Sequence, residues 1–135
     1  MVSLFKLFST VIRFHLPEII QVNIHSLMIF VKKIIDLNVS INDSCIYTLK
    51  KLGLRILFRI YQRHANVKLT DHKDFAIQFQ NKYTKSFVET LIYQVMSDGG
   101  SDKSTRHRQM ELTKLSLSCL AYINRQNSQA ALLLL

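Results

Sequence analysis

The sequence is short of the residues that bend or end secondary structure. Its 135 residues include only three glycines and one proline, whereas hydrophobic residues make up 48% of the chain and charged residues 20%. A sheet sandwich needs many glycine-rich turns, and a disordered chain contains fewer hydrophobic residues. The composition therefore predicts one folded helical domain or part of one, long enough to bury roughly two thirds of its surface.

Cysteine is scarce as well. Cys45 and Cys119 are far apart and form no Cys-x-x-Cys motif, so the sequence predicts no structural disulfide and fits a reducing compartment. The five histidines show no i, i+3 or i, i+4 pairing, and no metal site is expected. Lysines and arginines interrupt every apolar run before it reaches membrane-spanning length, so a soluble chain is expected.

No arrangement of residues predicts catalysis. Gly99 and Gly100 lack the Lys-Ser/Thr pair of a phosphate-binding loop, and the nine acidic residues form no pair on a helix face that suggests a general acid and base. We expect no enzyme activity and no cofactor.

Negative charge is scarce relative to positive charge. The chain has 18 Lys and Arg against 9 Asp and Glu, for a net charge of +9. Such a domain attracts nucleic acid, acidic proteins or anionic lipid without specificity. The basic residues are spread along the chain, however, and this is also the pattern of an ordinary solvated helical surface.

Hydrophobic periodicity predicts five helices joined by short polar connections, with Pro17 ending the first helix and Asn23 capping the second. Their expected ranges are 3–15, 24–37, 45–64, 75–96 and 105–124. Asp43 or Ser44 is expected to cap the third helix. Residues 127–135 are predicted to be a short polar break followed by an apolar tail.

The third of these helices, from Cys45 to His64, has an apolar face that covers more than half of its circumference. We expect it to be packed on two sides, by neighbours earlier and later in the chain. Gly53 in its middle weakens the helix by ~1 kcal/mol relative to alanine but permits close helix approach. The narrow remainder is a basic stripe, Lys51, Arg55, Arg59 and Arg63.

In the fourth helix, large apolar residues recur every four positions and predict a core stripe: Phe75, Phe79, Tyr83, Phe87, Leu91 and Val95. Helices this apolar must be covered on both flanks, as in a stack of helical hairpins. A compact bundle satisfies the same pattern.

Three stretches resemble the importin-beta-like karyopherins. Leu4 to Pro17 (LFKLFSTVIRFHLP) resembles the helix and Leu-Pro end of a HEAT repeat. Lys50 to His64 (KKLGLRILFRIYQRH) is similar to the Lys-Lys-Trp-Ala-Leu-x-Ile-Leu-x-Arg-Leu-Phe-x-Arg-Tyr-Gly segment of the importin seven and importin eight branch. Phe79 to Tyr83 (FQNKY) is similar to the family's Phe-Leu-Lys-Thr-Tyr helix.

The resembling stretches stand in the family's order from about Leu4 to Gln126. The sequence departs from the family pattern at Leu52 and Gly53, where the family has Trp and Ala, and at His64-Ala65, where it has Tyr-Gly.

The resemblance implies an α-solenoid fragment, in which antiparallel helical hairpins stack as about two and a half HEAT-type repeats. It implies a segment of a nuclear transport receptor that binds protein cargo, mediates nuclear import without catalysis, and shuttles between nucleus and cytoplasm. Nuclear pore proteins are further implied partners. The Ran GTPase binds the amino-terminal repeats of such receptors, and this sequence does not resemble those repeats.

In the family pattern, the helices at 3–15, 45–64 and 105–124 are the outer ones, and those at 24–37 and 75–96 line the concave face. The polar positions of the two inner helices are therefore the candidate cargo-binding residues: His25, Lys32, Lys33, Gln78, Lys82, Lys85 and Glu89. Receptors of this branch carry basic cargo, which a +9 segment does not attract, so this stretch is not expected to be an acidic cargo cradle.

The alternative hypothesis is a free-standing basic helical scaffold or adaptor. Its basic stripe, Lys51, Arg55, Arg59 and Arg63, would meet an acidic partner or nucleic acid, whereas on an outer convex face the same stripe would only be solvated. The apolar ends, Leu4-Phe5 and Leu132 to Leu135, lack the polar outer face of a terminal repeat and predict self-association.

Overall fold

A computed structural model of the chain describes residues 17–37, 41–65, 73–97 and 102–133. Within these ranges the chain is helical, without strands, and the predicted all-α class is confirmed. The predicted helix at 3–15 lies outside the described residues. The described helices are α1 (Pro17–Ile35), α2 (Ser44–Ile60), which continues as a π-helical turn (Tyr61–Ala65), α3 (Lys73–Met96) and α4 (Lys103–Leu133).

Two helix boundaries differ from the predicted ones. α1 begins at Pro17, so Asn23 lies inside the helix and does not cap it. Proline suits the first helical position, because its φ is already helical and its missing N–H is not needed there. α4 runs through the break predicted at Asn127, where no glycine or proline interrupts it and the Ser128 hydroxyl donates to the Asn124 carbonyl at 3.0 Å.

α2 begins at one of its two predicted caps. The Asp43 carboxylate accepts a hydrogen bond from the Cys45 backbone N–H at 2.8 Å, and Asp43 itself has an extended backbone. A carboxylate in this position satisfies an N–H that has no partner within the helix. The cap fixes where the chain turns from the connection after α1 into α2.

The helices form two hairpins that stack side by side. α1 pairs with α2, and α3 pairs with α4. Across the hairpins, α1 runs parallel to α3, because the bonded pairs His25 with Tyr83 and Ile35 with Gln94 are 58 and 59 residues apart.

α2 likewise runs parallel to α4, with Lys51 bonded to Glu111 and Leu54 to Cys119, 60 and 65 residues apart. Among the described residues, α1 and α4 make little direct contact, although they would be neighbours in a square up-and-down bundle. The described chain is therefore two layers, α1 with α3 and α2 with α4, in which the second hairpin repeats the first.

α2 is the central element of this stack. It contacts α1 on one side and α4 on the other, as its wide apolar face predicted. Its buried apolar residues face both neighbours: Leu49, Leu52, Leu54, Ile56, Leu57 and Ile60. The core stripe of α3 is also buried at Phe79, Tyr83, Phe87 and Leu91, and half-buried at Val95. The side chain of Phe75 lies outside the described residues.

The π-helical turn joins α2 to α3. The Tyr61 ring packs edge-on against Phe79 with 5.2 Å between centroids, and its hydroxyl lies 3.1 Å from the Thr84 hydroxyl. Burial raises the pKa of the Tyr61 phenol to about 12. This side chain therefore anchors the end of α2 in the core as a neutral, hydrogen-bonded ring.

Gly53 lies at a point of close approach between α1 and α2. A Cβ atom added there would lie 3.3 Å from Cγ2 of Ile34 and 3.4 Å from Cγ1 of Ile35. The close approach expected from the sequence is therefore present. The backbone of α2 lies directly against the last turn of α1.

We expect Gly53→Leu to lower the free energy of unfolding by about 1–3 kcal/mol, because the larger side chain forces α1 away from α2. Gly53→Ala should stay within about 1 kcal/mol of the native chain, since its gain in helix propensity opposes the tight contact with Ile34. Urea unfolding followed by circular dichroism measures both. Adding Ile34→Ala to Gly53→Leu should restore part of the loss, and strictly additive losses would contradict the steric explanation.

Arg108 fastens α4 to the connection before α2. Its Nη1 atom donates to the carbonyl oxygens of Ile41 and Asn42, each at 2.8 Å, and its guanidinium lies 5.3 Å from the centroid of the Tyr47 ring. The Thr105 hydroxyl donates to the Asn42 side chain beside it. These bonds set the register in which the second layer stacks.

We expect Arg108→Met to lower the free energy of unfolding by about 1–3 kcal/mol, because two charge-assisted hydrogen bonds are lost. The matched control is Arg106→Met, an exposed position on the same helix, which should change it by no more than about 0.5 kcal/mol. If urea unfolding shows the same decrease in the free energy of unfolding for both variants, the Arg108 hydrogen bonds do not stabilise the packing of α4 on the connection before α2.

Candidate functional site

The seven candidate cargo-binding residues all lie on the first layer. On α3, Gln78, Lys82, Lys85 and Glu89 are exposed and recur at intervals of four, three and four, so they share one face. On α1, His25 and Lys33 are exposed and Lys32 is half-buried.

The structure brings together only some of these residues. The His25 Nδ1 atom lies 2.7 Å from the Tyr83 hydroxyl, and the Lys82 ammonium lies 5.4 Å from the centroid of the same ring. Lys32 is bonded to Asp36, one turn later on its own helix, at 2.6 Å. Tyr83 therefore links His25 with Lys82 across the two helices of this layer.

Apolar side chains on the same layer were missed by sequence reasoning. Ile92, Tyr93 and Met96 are 45%, 68% and 79% exposed at the end of α3, and Ile29 on α1 is 43% exposed. They follow the polar positions along one helix face, so the exposed surface of α3 changes from polar to apolar. Apolar residues in a helix predict burial, and nothing in the sequence distinguishes these exposed ones.

A groove of about 630 Å³ lies on the second layer, between α2 and α4. Its apolar lining, the floor, consists of Leu54 and Cys119, which are buried, and Phe58 and Leu115, which are half-buried. The remaining lining residues are polar and mostly exposed: Arg55, Arg59, Gln62, Arg63 and Ser118. The groove thus has an apolar floor and a basic rim.

The predicted basic stripe divides at this groove. Lys51 is bonded to Glu111 at 3.4 Å, and its ammonium lies 5.5 Å from the centroid of the Tyr47 ring. Arg55, Arg59 and Arg63 line the groove, and no carboxylate of the described side chains lies within 4.0 Å of them. Three of the four stripe residues therefore form one side of a concave site.

The other side of the groove comes from α4 and had no signal in the sequence. Leu115, Ser118 and Cys119 are an ordinary stretch of an amphipathic helix about 60 positions away from the arginines. The adjacent Lys50 does not belong to the site, since it is buried in the core and its burial lowers the pKa of its ammonium group.

Both cysteines are free thiols, in different surroundings. Cys45 is exposed at the start of α2, whereas the Cys119 thiol lies at the floor of the groove, 3.5 Å from the Leu54 carbonyl oxygen. Burial raises the pKa of Cys119 to about 12. No group of three or more potential metal ligands occurs among the described residues, and none of the described helices is long and apolar enough to cross a bilayer.

We expect one fast-reacting thiol in the folded chain. At pH 8, a pKa raised from 9.0 to about 12 leaves Cys119 with roughly a thousandth of the usual thiolate, and the thiolate is the reactive form. A thiol titration with an aromatic disulfide reagent should count one thiol before unfolding and two in denaturant. In Cys45→Ser the fast thiol should disappear, and a second fast thiol in the native chain would show that reagent reaches the floor of the groove.

No family model matches the chain, and no curated protein or solved structure matches it.

Proposed function

We propose that the chain is a helical-repeat segment of a nuclear transport receptor, which binds protein cargo, acts without catalysis and shuttles between nucleus and cytoplasm. The observation that supports this proposal most is the translational stacking of two helical hairpins, with α2 covered by α1 and α4. Solenoids bury their helices in this way, and Lys50 to His64, which resembles the importin seven and importin eight branch, is the covered helix.

The repeat in this chain is long. Bonded partners across the two hairpins are 58 to 65 residues apart, against about 40–47 residues in typical HEAT repeats. The helices, of 17 to 31 residues, account for the length. The HEAT-type proposal therefore rests on how the hairpins stack and on the resembling residues.

The first layer is the proposed cargo surface. Lys82, Lys85 and Glu89 offer charges of both signs, and Ile92, Tyr93 and Met96 continue the same face of α3 with exposed apolar groups. Protein interfaces combine an apolar patch with a polar surround, and aromatic and methionine side chains are enriched in them. The second layer would then face outward.

A chimaeric receptor tests the proposal. Residues 4–126 replace the segment that they resemble in an importin seven receptor, and import of fluorescent cargo is measured in permeabilised cells supplied with Ran and GTP. We expect the chimaera to import cargo at a rate comparable to that of the parent receptor. A soluble chimaera with native helix content but no import would contradict the proposal.

Charge reversal on the proposed cargo surface is a second test in the same chimaeric receptor. We expect Lys82→Glu with Lys85→Glu to weaken cargo binding about tenfold, because like charges then meet across the interface. The matched control is Lys103→Glu with Lys114→Glu, two exposed lysines of the second layer, which should leave the affinity within about twofold. If the two pairs of substitutions weaken cargo binding equally, the first layer is not the cargo surface.

A further inference from the structure

We propose that the groove between α2 and α4 binds an acidic peptide segment that carries an apolar side chain among its carboxylates. This inference depends on the groove alone and not on the proposed receptor function. It concerns the second layer, which the cargo surface does not use.

The arginine side of the groove matches a row of carboxylates. Arg55 and Arg59 are four residues apart on one face of α2, Arg63 follows four residues later in the π-helical turn, and all three line the groove. A guanidinium accepts a carboxylate through two parallel hydrogen bonds. Since no described carboxylate lies within 4.0 Å of them, these three groups are available to a partner.

Charge on the opposite side has the same sign. Lys114 and Arg125 are exposed on α4, four residues before and seven residues after Ser118, which places them on the same face as this lining residue. Glu111 is the acidic residue of α4 on this side, and its carboxylate is bonded to Lys51. The field at the groove is therefore positive from both helices.

A ligand that fills the groove must cover its apolar floor as well as carry negative charge. Phe58 and Leu115 are half-buried above the buried Leu54 and Cys119, and a volume of about 630 Å³ is large enough to take a leucine or phenylalanine side chain. Burying such a side chain contributes about 1.5–3 kcal/mol, which surface ion pairs alone do not supply. An acidic segment with an apolar anchor satisfies both the rim and the floor.

Nucleic acid fits the groove less well. Single-stranded binding uses exposed aromatic rings on which bases stack. Phe58 is the aromatic residue of the lining, and its ring is already packed against Tyr122, with 5.1 Å between the ring centroids. The floor thus offers aliphatic contact, and the rim offers a short row of three guanidinium groups.

The test measures fluorescence anisotropy of a labelled peptide, Gly-Ser-Glu-Asp-Leu-Glu-Glu-Phe-Asp-Glu-Ser-Gly, titrated with the full chain. We expect saturable binding. A peptide with serine in place of Leu and Phe, and one with Gln and Asn in place of the acids, should each bind at least about tenfold more weakly, because the first lacks the anchor and the second lacks the charge.

Variants of the chain locate the binding. Arg59→Glu should weaken binding about tenfold or more, whereas the matched charge reversal Lys103→Glu, at the exposed start of α4 and outside both the groove lining and the cargo surface, should leave it within about twofold. Ser118→Trp fills the groove without changing charge and should also weaken binding about tenfold. Circular dichroism and thermal unfolding of each variant separate loss of the groove from loss of the fold.

Three outcomes would overturn the inference. The first is no binding of the acidic peptide by the native chain. The second is equal weakening by Arg59→Glu and Lys103→Glu, with both variants folded. The third is tighter binding of a single-stranded RNA oligonucleotide than of the peptide, with the same dependence on Arg59, which would assign the groove to nucleic acid. None of these three outcomes changes the result expected from the import assay of the chimaeric receptor. The groove proposal and the receptor proposal can therefore be refuted independently.

Discussion

Burial of α2 on two opposite sides is the constraint on which the rest of the described structure depends. In a helix with apolar residues around most of its circumference, each Å² of apolar surface left exposed to water raises the free energy of the folded chain by about 25 cal/mol. One partner helix covers only one stripe of such a helix. α1 and α4 therefore both pack on α2, although one precedes it and the other follows a whole hairpin later.

The close contact on the α1 side has a local cause. Gly53 has no side chain at the position that Ile34 and Ile35 approach, so these two side chains of α1 contact the backbone of α2 directly. On the α4 side the contact is held by Arg108, whose guanidinium binds the carbonyl oxygens of the connection before α2. Apolar burial brings the helices together, and these polar bonds select the register.

Parallel stacking separates two surfaces of different chemistry. Because α1 lies beside α3 and α2 beside α4, the first layer has charges of both signs together with exposed Ile92, Tyr93 and Met96, and the second layer has the arginine-lined groove. Such a division suits a protein that acts by binding at more than one surface. The net charge of +9, which conflicts with a cradle for basic cargo, is concentrated in part on the layer that faces away from the proposed cargo surface.

The sequence by itself determined the properties that depend on neighbours within a few turns. The helical class, the apolar face of α2, the buried stripe from Phe79 to Leu91 and the Asp43 cap follow from local periodicity and hydrogen bonding, which the residue spacing contains. Pro17 opens α1, whereas periodicity predicts the start of this helix near Asn23, since proline suits the first helical position and only the packing of the following residues selects the start.

Only the tertiary structure decided which surfaces exist. The basic stripe was visible in the sequence, yet Lys51 became the partner of Glu111 while Arg55, Arg59 and Arg63 came to face Leu115, Ser118 and Cys119. That difference depends on contacts between residues about 60 positions apart, whose register is set by packing and hydrogen bonds between helices and has no signature in local periodicity.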